Sequence, residues 1–589
     1  MNNDEATVLG NVNTAGGSVT VTSNGQLTQD AGTGIVMTVG GQLNVTTLAG
    51  DAVLTNTAQN NILTLGNVNA FNDFQFSDSN SYAVTGAIAA SGFVELGAAS
   101  GTVNQSAGSV ISNGLLLSGP ATFQMDQTAN DVATLAADTV TALRYVSDND
   151  FTVGTVDATA GISTTGDVRL DARNGADITF DDDVTSATGS IVATAAAGGS
   201  LVQNGGVLDS DANIYLSGDV VGTSANPMLI AGDVELSAQS NTGGVFISNS
   251  GLADIDIVAF NPAGFLDPTA NAGNIAGISS ATQTILRNTS LGTVNLVGTG
   301  VINAGTTVTV ENNGALTQDN VSTRITGTQL TLEGSGNVGT LANRIIANVP
   351  TVIFNKPTVG NVFLTNANGV GVEGTLNGDL LFQTSAGSIT INAAGLSGSG
   401  ASNDFELIGA VQIINGGGVI DMSGGNLGLF SGQVGAGVDI ETRNVGTLEG
   451  QATVGSFNVN NAYTVAFDAD QSGNILTLGD MTNPSLSAFA GIQAFGVLTI
   501  DQAADNSIVV ANTSAANDIL GGSQVNLVVA PSGTGPDQLT VNAGAVILYV
   551  PGRRWSSIYL SPLQRNRVPP PSCRSGFVHS HQGEITSPC

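Results

Sequence analysis

The sequence predicts an all-β protein whose short strands coil into an elongated solenoid. Apolar and polar residues alternate in runs of about four to six, as at 18–22 (SVTVT) and 388–391 (SITI), which indicates strands that bury one face. Gly accounts for 78 of the 589 residues and separates these runs together with Asn, Asp and Ser. Two short motifs also recur along the chain, and such internal repeats are typical of stacked architectures.

The first motif is the pentapeptide G-x-[LV]-x-Q, which begins at Gly25, Gly101, Gly199 and Gly314. An alternating segment precedes each copy and another follows it, so the predicted unit is strand, glycine turn, strand, turn, strand. The second motif, [LV]-G-[NTD]-[VM], begins at Leu9, Leu65, Val153, Leu291, Val359 and Leu478. The two motifs alternate along the chain and define a module that averages about 94 residues.

Strands that each bury one narrow face are best satisfied when every turn of the chain stacks on the previous one. Turns of roughly 20 residues, each rising ~4.8 Å, predict a rod on the order of 130 Å long. Residues 130–143 come nearest to a helical period, but their Val, Thr and Asp disfavour a helix. The alternative fold is a string of β-sandwich domains, which predicts Pro-rich linkers at regular spacing, and the sequence 1–550 contains no such linkers.

Composition divides the chain into a solenoid body, residues 1–550, and a tail, residues 551–589. The tail contains both Cys, both His, the single Trp and five of the 13 basic residues. Two interpretations remain open: a disordered Pro- and Arg-rich tail, or a non-native stretch translated from a shifted reading frame. Residues 1–10 lack the basic and apolar segments of a secretory signal, so the sequence predicts no signal peptide in this chain.

Charge restricts the partners of the body. Residues 1–550 carry 45 acidic and eight basic side chains, and an acidic surface repels phosphate backbones and anionic headgroups. The sequence also contains no run of ~18 apolar residues. We therefore expect neither nucleic acid binding nor direct membrane insertion.

The strings G-S-V-T-V, G-x-L-T-Q-D and L-x-L-x-G resemble the repeat regions of filamentous-haemagglutinin-like exoproteins and of β-strand-repeat autotransporter adhesins. The resemblance covers residues 5–550. It implies a right-handed parallel β-helix on the bacterial cell surface, or secreted from the cell, with an adhesive or matrix role. For the parent protein it implies an extracellular location.

Two short patterns could carry a ligand. Residues 369–374 (GVGVEG) match G-x-G-x-x-G, but the following residues read as turn and strand, which favours a solenoid corner over a nucleotide site. Asp468, Asp470 and Ser472 match the first half of a calcium loop, although Gly479 stands where that loop needs a Glu. Residues 474–479 (NILTLG) repeat residues 61–66, and alignment of the two copies places Thr55 and Thr57 opposite the two Asp. An ordinary turn is therefore favoured over a weak calcium site.

These observations predict a non-enzymatic structural and adhesive repeat protein, a stiff rod that contacts an unknown host, matrix or cell-surface receptor. They predict no catalytic residues and no cofactor. The alternative is a carbohydrate-active β-helix enzyme, a polysaccharide lyase or hydrolase, which needs a basic residue or several carboxylates converging in a groove. The acids stand mainly singly in turn contexts, and the body offers five Tyr and no Trp as a platform for sugar rings.

Overall fold

The computed structural model describes residues 2–3, 5–249, 251, 253–260, 275–319, 322, 324–400, 402–462, 475–478, 491–495, 497–502, 507–510, 519–521, 524–529, 538–541 and 547–549. Within these ranges the chain forms 63 strands, from Asn2–Asn3 to Ile547–Tyr549, and no helix. Of these strands, 59 belong to one continuous hydrogen-bonded ladder. The predicted tail, residues 551–589, lies outside the described residues.

The strands of this ladder are parallel, and each pairs with the second or third strand further along the chain. Ile162–Thr164 pairs with Val184–Ser186, Val168–Ala172 with Ile191–Ala195, and Ile178–Phe180 with Leu201–Gln203. One turn therefore contributes a strand to each of three adjoining ladders. Parallel pairing between successive turns confirms the predicted β-solenoid, and the alternative of β-sandwich domains, built from antiparallel sheets, is wrong.

Three ladders surround the sites described below. Ladder A contains Phe74–Asp78, Phe93–Ala98, Val110–Ser118 and Asp131–Val140. Ladder B contains Thr122–Met125, Ala142–Ser147, Val168–Ala172, Ile191–Ala195, Asn213–Gly218 and Val234–Ser240. Ladder C contains Phe151–Val153, Ile178–Phe180 and Leu201–Gln203. A later ladder contains Leu380–Thr384, Asp404–Ile408, Asn426–Ser431 and Thr447–Ala452.

The rod is shorter than the sequence predicts. Phe74 pairs with Val94 and Leu330 with Val352, so a turn takes 20 residues at the first position and 22 at the second. Insertions between strands consume further residues, and the chain completes about 20 turns. At ~4.8 Å per turn these stack to roughly 95 Å, so the predicted 130 Å is wrong.

The core is a single column of inward-facing apolar side chains. Alternation places every second residue of a strand inside, as in Phe93–Ala98, where Val94, Leu96 and Ala98 are buried. Phe74 and Phe76 stack with ring centroids 6.5 Å apart, and the ring of Tyr82 meets Phe76 edge-on at 5.3 Å. Residues 131–140 form a strand, which confirms that the segment with the strongest helical period is not a helix.

In two of the four pentapeptide copies, the glutamine pairs with an asparagine at a buried corner. Gln105 donates from Nε2 to Oδ1 of Asn130 at 2.8 Å and accepts from its Nδ2 at 3.0 Å. Gln29 and Asn60 form the same reciprocal amide pair at 2.7 and 3.2 Å. Each asparagine also accepts a buried backbone N–H, from Val110 in one copy and from the equivalent strand in the other. The motif therefore satisfies polar backbone groups where the chain turns between ladders.

Two insertions interrupt the succession of ladder strands. The first, here called the outer hairpin, is the antiparallel pair Thr155–Val156 and Thr159–Ala160. The second runs from 258 to 276, and its ends are joined by an antiparallel bridge between Phe260 and Ile275. Val156 of the outer hairpin, and Phe260 and Ile275 of the second insertion, pack against outward strand faces.

Candidate functional site

A shallow groove lies on the outer face of ladder A. It encloses about 430 Å³. Its walls are polar on the strand side and small or apolar at the adjoining corner. The lining residues are Thr55, Thr57, Gln75, Ser77, Glu95, Ala98, Ala99, Ser118, Gly119 and Pro120.

Two serines that line the groove lie on either side of a glycine in one outward row. Ser77, Gly97 and Ser118 occupy the same register position on three consecutive strands. A Cβ atom at Gly97 would lie 2.5 Å from Oγ of Ser77 and 2.8 Å from Oγ of Ser118. Glycine at this position therefore lets the two serine hydroxyl groups approach the strand more closely than a methyl group would allow. Thr57 donates to Ser77 Oγ at 2.7 Å.

Glu95 is the charged group of the groove. It projects outward from the centre of Phe93–Ala98, two residues before Gly97, and accepts a hydrogen bond from Oγ of Ser118 at 2.8 Å. Burial raises the pKa of the Glu95 carboxyl; the Ser118 hydrogen bond opposes the rise, and the charge of Asp157 adds to it. The carboxylate is therefore a partly desolvated anion with a second anion nearby.

The outer hairpin places Asp157 there by packing beside the groove. Val156 is buried against Leu116, Ala136 and Phe93 on the outer face of ladder A. Asp157 occupies the tip with φ 53°, a left-handed conformation that Asp adopts more readily than most residues. A Cβ at Gly114 would lie 2.9 Å from a methyl group of Val156, so glycine allows the hairpin to approach the sheet closely.

Ladder B carries a second group of buried polar side chains on its outer face. Arg169 Nε lies 2.8 Å from Oδ2 of Asp171, and both side chains are almost fully buried. Arg169, Val192 and Tyr215 occupy the same register position on three consecutive strands of ladder B. The ring of Tyr215 packs against the ring of Phe260 in the second insertion, with centroids 5.6 Å apart. Burial raises the pKa of Tyr215 to about 12. The contact between Tyr215 and Phe260 joins the second insertion to the outer face of ladder B.

Lys356, the single lysine of the chain, is fully buried at a corner. Its Nζ donates to the backbone carbonyls of Gly334 and Gly336 at 2.7 and 2.8 Å. Burial lowers the pKa of Lys356 to about 8. The ammonium group thus satisfies carbonyl oxygens of a turn, which is a structural role.

Two buried glutamates share an outward row of the later ladder. Glu406 and Glu449 lie on either side of Gly428 in register, with exposed fractions of 1 and 0 %. They are 43 positions apart in the sequence, and only the stacking of turns brings them together. With Glu95 and Asp171, they are exceptions to the sequence pattern of acids that stand mainly singly in turns.

Of the two sequence-predicted ligand patterns, residues 369–374 are described by the structure and do not line the groove. Residues 370–377 form one strand, with Gly374 at φ 113° beside a register shift in the pairing with Ile389–Gly398. Asp468, Asp470 and Ser472 lie outside the described residues. Tyr82, Tyr145 and Tyr215 are buried in the core or beneath an insertion, so these three rings are inaccessible to sugars.

Sequence reasoning missed the groove because its residues are distant in the chain. A local signal was nevertheless present at 93–98 (FVELGA), where a glutamate occupies the centre of an apolar strand and a glycine follows on the same face. In the part of the chain that the structure describes, His, Cys, Asp and Glu form no group of three that could hold a metal ion.

Comparison with protein families, with curated proteins and with solved structures finds no match to this chain. The fold therefore defines the class of protein: an all-β, parallel β-solenoid repeat protein of about 20 turns. Among the described residues, no helix has the length and hydropathy needed to cross a membrane.

Proposed function

We propose that the protein is a non-enzymatic structural and adhesive rod, acting at a cell surface or after secretion. The continuous ladder of 59 strands carries this proposal, because it transmits one rigid register along the described body. A stiff rod holds a binding surface away from its point of attachment, and several such rods on one surface bind multivalently. The resemblance of the repeats to haemagglutinin-like and autotransporter adhesins supports the same role.

The surface charge defines what such a rod could contact. The body carries an excess of 37 acidic charges, which favours partners with basic surfaces and disfavours anionic lipids and nucleic acids. We therefore propose a protein receptor on a host cell or in an extracellular matrix.

Beads coated at several densities with the full chain test this function on epithelial cell layers and on immobilised matrix proteins. We expect retention that rises more than proportionally with coating density and that soluble protein competes away. Albumin-coated beads are the control. Retention equal to that control on every surface would contradict an adhesive role.

A carbohydrate-active enzyme is the second candidate, and Glu95 is the observation that favours it. A carboxyl group with a raised pKa beside a second carboxylate, in a groove lined by hydroxyl and amide groups, is an arrangement suited to general acid catalysis of glycosidic cleavage. Incubation with a panel of polysaccharides, followed by measurement of new reducing ends and unsaturated products, tests this function. Cleavage that disappears in Glu95→Gln would replace the adhesive proposal.

A further inference from the structure

We propose that Asn174 is a site of spontaneous deamidation, at which the folded rod converts an asparagine into aspartate and isoaspartate and releases ammonia. Water is the only co-reactant, so the modification requires no enzyme and does not depend on the proposed adhesive function. The inference is carried by the Asn-Gly sequence, by the exposed turn that contains it and by the side-chain hydrogen bonds of the other Asn-Gly sites.

The chemistry favours an asparagine that is followed by glycine. The backbone nitrogen of the following residue attacks Cγ of the asparagine and forms an N–Cγ bond. The Cγ–Nδ2 bond breaks, and the amide leaves as ammonia with the proton of the attacking N–H. Water then opens the resulting succinimide ring at either carbonyl, which gives aspartate or isoaspartate. Glycine has no Cβ to hinder ring closure and adopts unusual backbone angles at low cost.

Asparagine precedes glycine at eight positions, and the structure distinguishes one of them. The Asn174 side chain is exposed and makes no hydrogen bond within the part of the chain that the structure describes. Asn24 is half-buried. Each of the other six donates a hydrogen bond from Nδ2, the leaving group, to an adjacent turn; they are Asn113, Asn204, Asn313, Asn368, Asn377 and Asn415.

The turn at Asn174 leaves the attacking group accessible as well. Asn174 and Gly175 have φ values of 56° and 84°, which are typical of the two central residues of a type I′ turn. One hydrogen bond, from the N–H of Ala176 to the carbonyl of Arg173 at 3.0 Å, closes the turn. The N–H of Gly175 has no acceptor among the described residues. Local opening of this turn therefore frees the Gly175 nitrogen to reach Cγ of Asn174.

Asn113 provides the matched comparison, because the same dipeptide is held in a ladder. Gly114 is buried inside the strand Val110–Ser118, and Nδ2 of Asn113 donates to the carbonyl of Ser91 at 2.6 Å. Ring closure at this position requires the strand to separate from its neighbours. The fold should therefore protect Asn113 and leave Asn174 reactive.

Deamidation would change both the charge and the backbone of the corner. The turn stacks on the preceding one, because the N–H of Arg173 donates to the carbonyl of Ser147 at 2.8 Å. The N–H of Asp177 likewise donates to Oδ1 of Asp150 at 2.8 Å, so the new carboxylate would join a corner that already carries two. Isoaspartate also adds one carbon to the main chain of a tight turn. An aged rod would therefore be more acidic and more open at this corner than a new one.

Peptide mapping of the full-length chain, incubated for weeks at mildly alkaline pH, tests the proposal. A protease that cleaves before Asp releases residues 171–176 (DARNGA) as one peptide, and mass spectrometry detects the exchange of an amide for an acid. Conversion to aspartate creates a new cleavage site in this peptide, whereas isoaspartate resists the protease. We expect Asn174 to react at least tenfold faster than Asn113 in the same sample.

Two controls separate the effect of the fold from intrinsic reactivity. In guanidinium chloride the two sites should react at rates within about twofold of each other, because neither is then held by the fold. Asn174→Gln keeps an amide but disfavours the five-membered ring. Aged wild type should be cleaved by trypsin after Arg173 faster than fresh protein, and aged Asn174→Gln should show no such increase. Circular dichroism checks that the variant is folded.

Equal rates at Asn174 and Asn113 in the folded chain would overturn the proposal. An unmodified Asn174 in the folded chain, under conditions in which the unfolded chain reacts at both positions, would also overturn it. Faster reaction at any of the six hydrogen-bonded asparagines than at Asn174 would do the same, because the side-chain hydrogen bonds would then give no protection.

Discussion

Removing the amide of Asn130 should destabilise the solenoid more than most single substitutions. Asn130 is fully buried and holds four partners: both atoms of the Gln105 amide, the N–H of Val110 and the carbonyl of Val146, at 2.8 to 3.1 Å. Asn130→Ala leaves three buried polar groups without this partner. At about 1–3 kcal/mol for each group, the expected loss is about 3–9 kcal/mol.

Urea-induced unfolding followed by circular dichroism measures this loss, and hydrogen exchange at the Val110 amide reports its local component. Asn113→Ala is the matched control, since Asn113 is exposed and donates one hydrogen bond, to the carbonyl of Ser91. We expect this control to lose less than about 1 kcal/mol.

The second amide pair gives an independent check. Asn60→Ala removes an equivalent set of hydrogen bonds, including those to Gln29 and to the N–H of Ile35, and should cost a similar amount. If either buried asparagine were replaced at a cost within about 0.5 kcal/mol of the exposed control, the assignment of the pentapeptide as a corner-stabilising motif would be refuted.

Four further predictions follow from the charges and close contacts. Burial raises the pKa of Glu95 above its unfolded value of 4.5, so the native protein gains stability as the pH falls from the raised pKa to 4.5. Glu95→Gln should therefore be more stable than wild type at pH 7 in thermal melts. A difference in stability that persists below pH 4.5 would contradict this. Burial lowers the pKa of Lys356 from 10.5 to about 8, so the unfolded chain binds more protons than the native protein between these pH values. The stability of wild type relative to Lys356→Met should therefore rise with pH over that range. A stability difference that does not change with pH would contradict this. Gly114→Ala should lift the outer hairpin and increase cleavage by a protease specific for Asp, whereas an unchanged cleavage rate would show that the close approach is unimportant. Asp468→Asn combined with Asp470→Asn should change stability by no more than about 0.5 kcal/mol, and a calcium-dependent rise in Tm that this variant abolishes would contradict the ordinary turn.

The strand content of the protein could be predicted because it is encoded locally. The alternation at 18–22 becomes the strand Val19–Ser23, and the β-branched and acidic residues at 130–143 rule out a helix there. The solenoid followed from the repeats. The length did not, because insertions at corners use residues that add no turn to the stack.

The candidate groove could not be predicted because register, not sequence separation, assembles it. Ser77 and Ser118 are 41 residues apart, and the intervening Gly97 acquires meaning only when its strand stacks between theirs. The burial of Lys356 was equally hidden, since the carbonyls that accept its hydrogen bonds carry no sequence signal. The pentapeptide was recognised as a repeat, but its amide partners lie 25 and 31 residues further along the chain.

The stacking of turns in one continuous ladder also determines how the rod would respond to tension. Hydrogen bonds between parallel strands point along the rod axis, so a force on the two ends loads one turn at a time. Each turn that peels away releases a loop of roughly 22 residues, or about 75 Å of extended chain. An attached cell pulled by flow would therefore meet a series of small yielding steps, and the tether would lengthen while its remaining turns stayed folded.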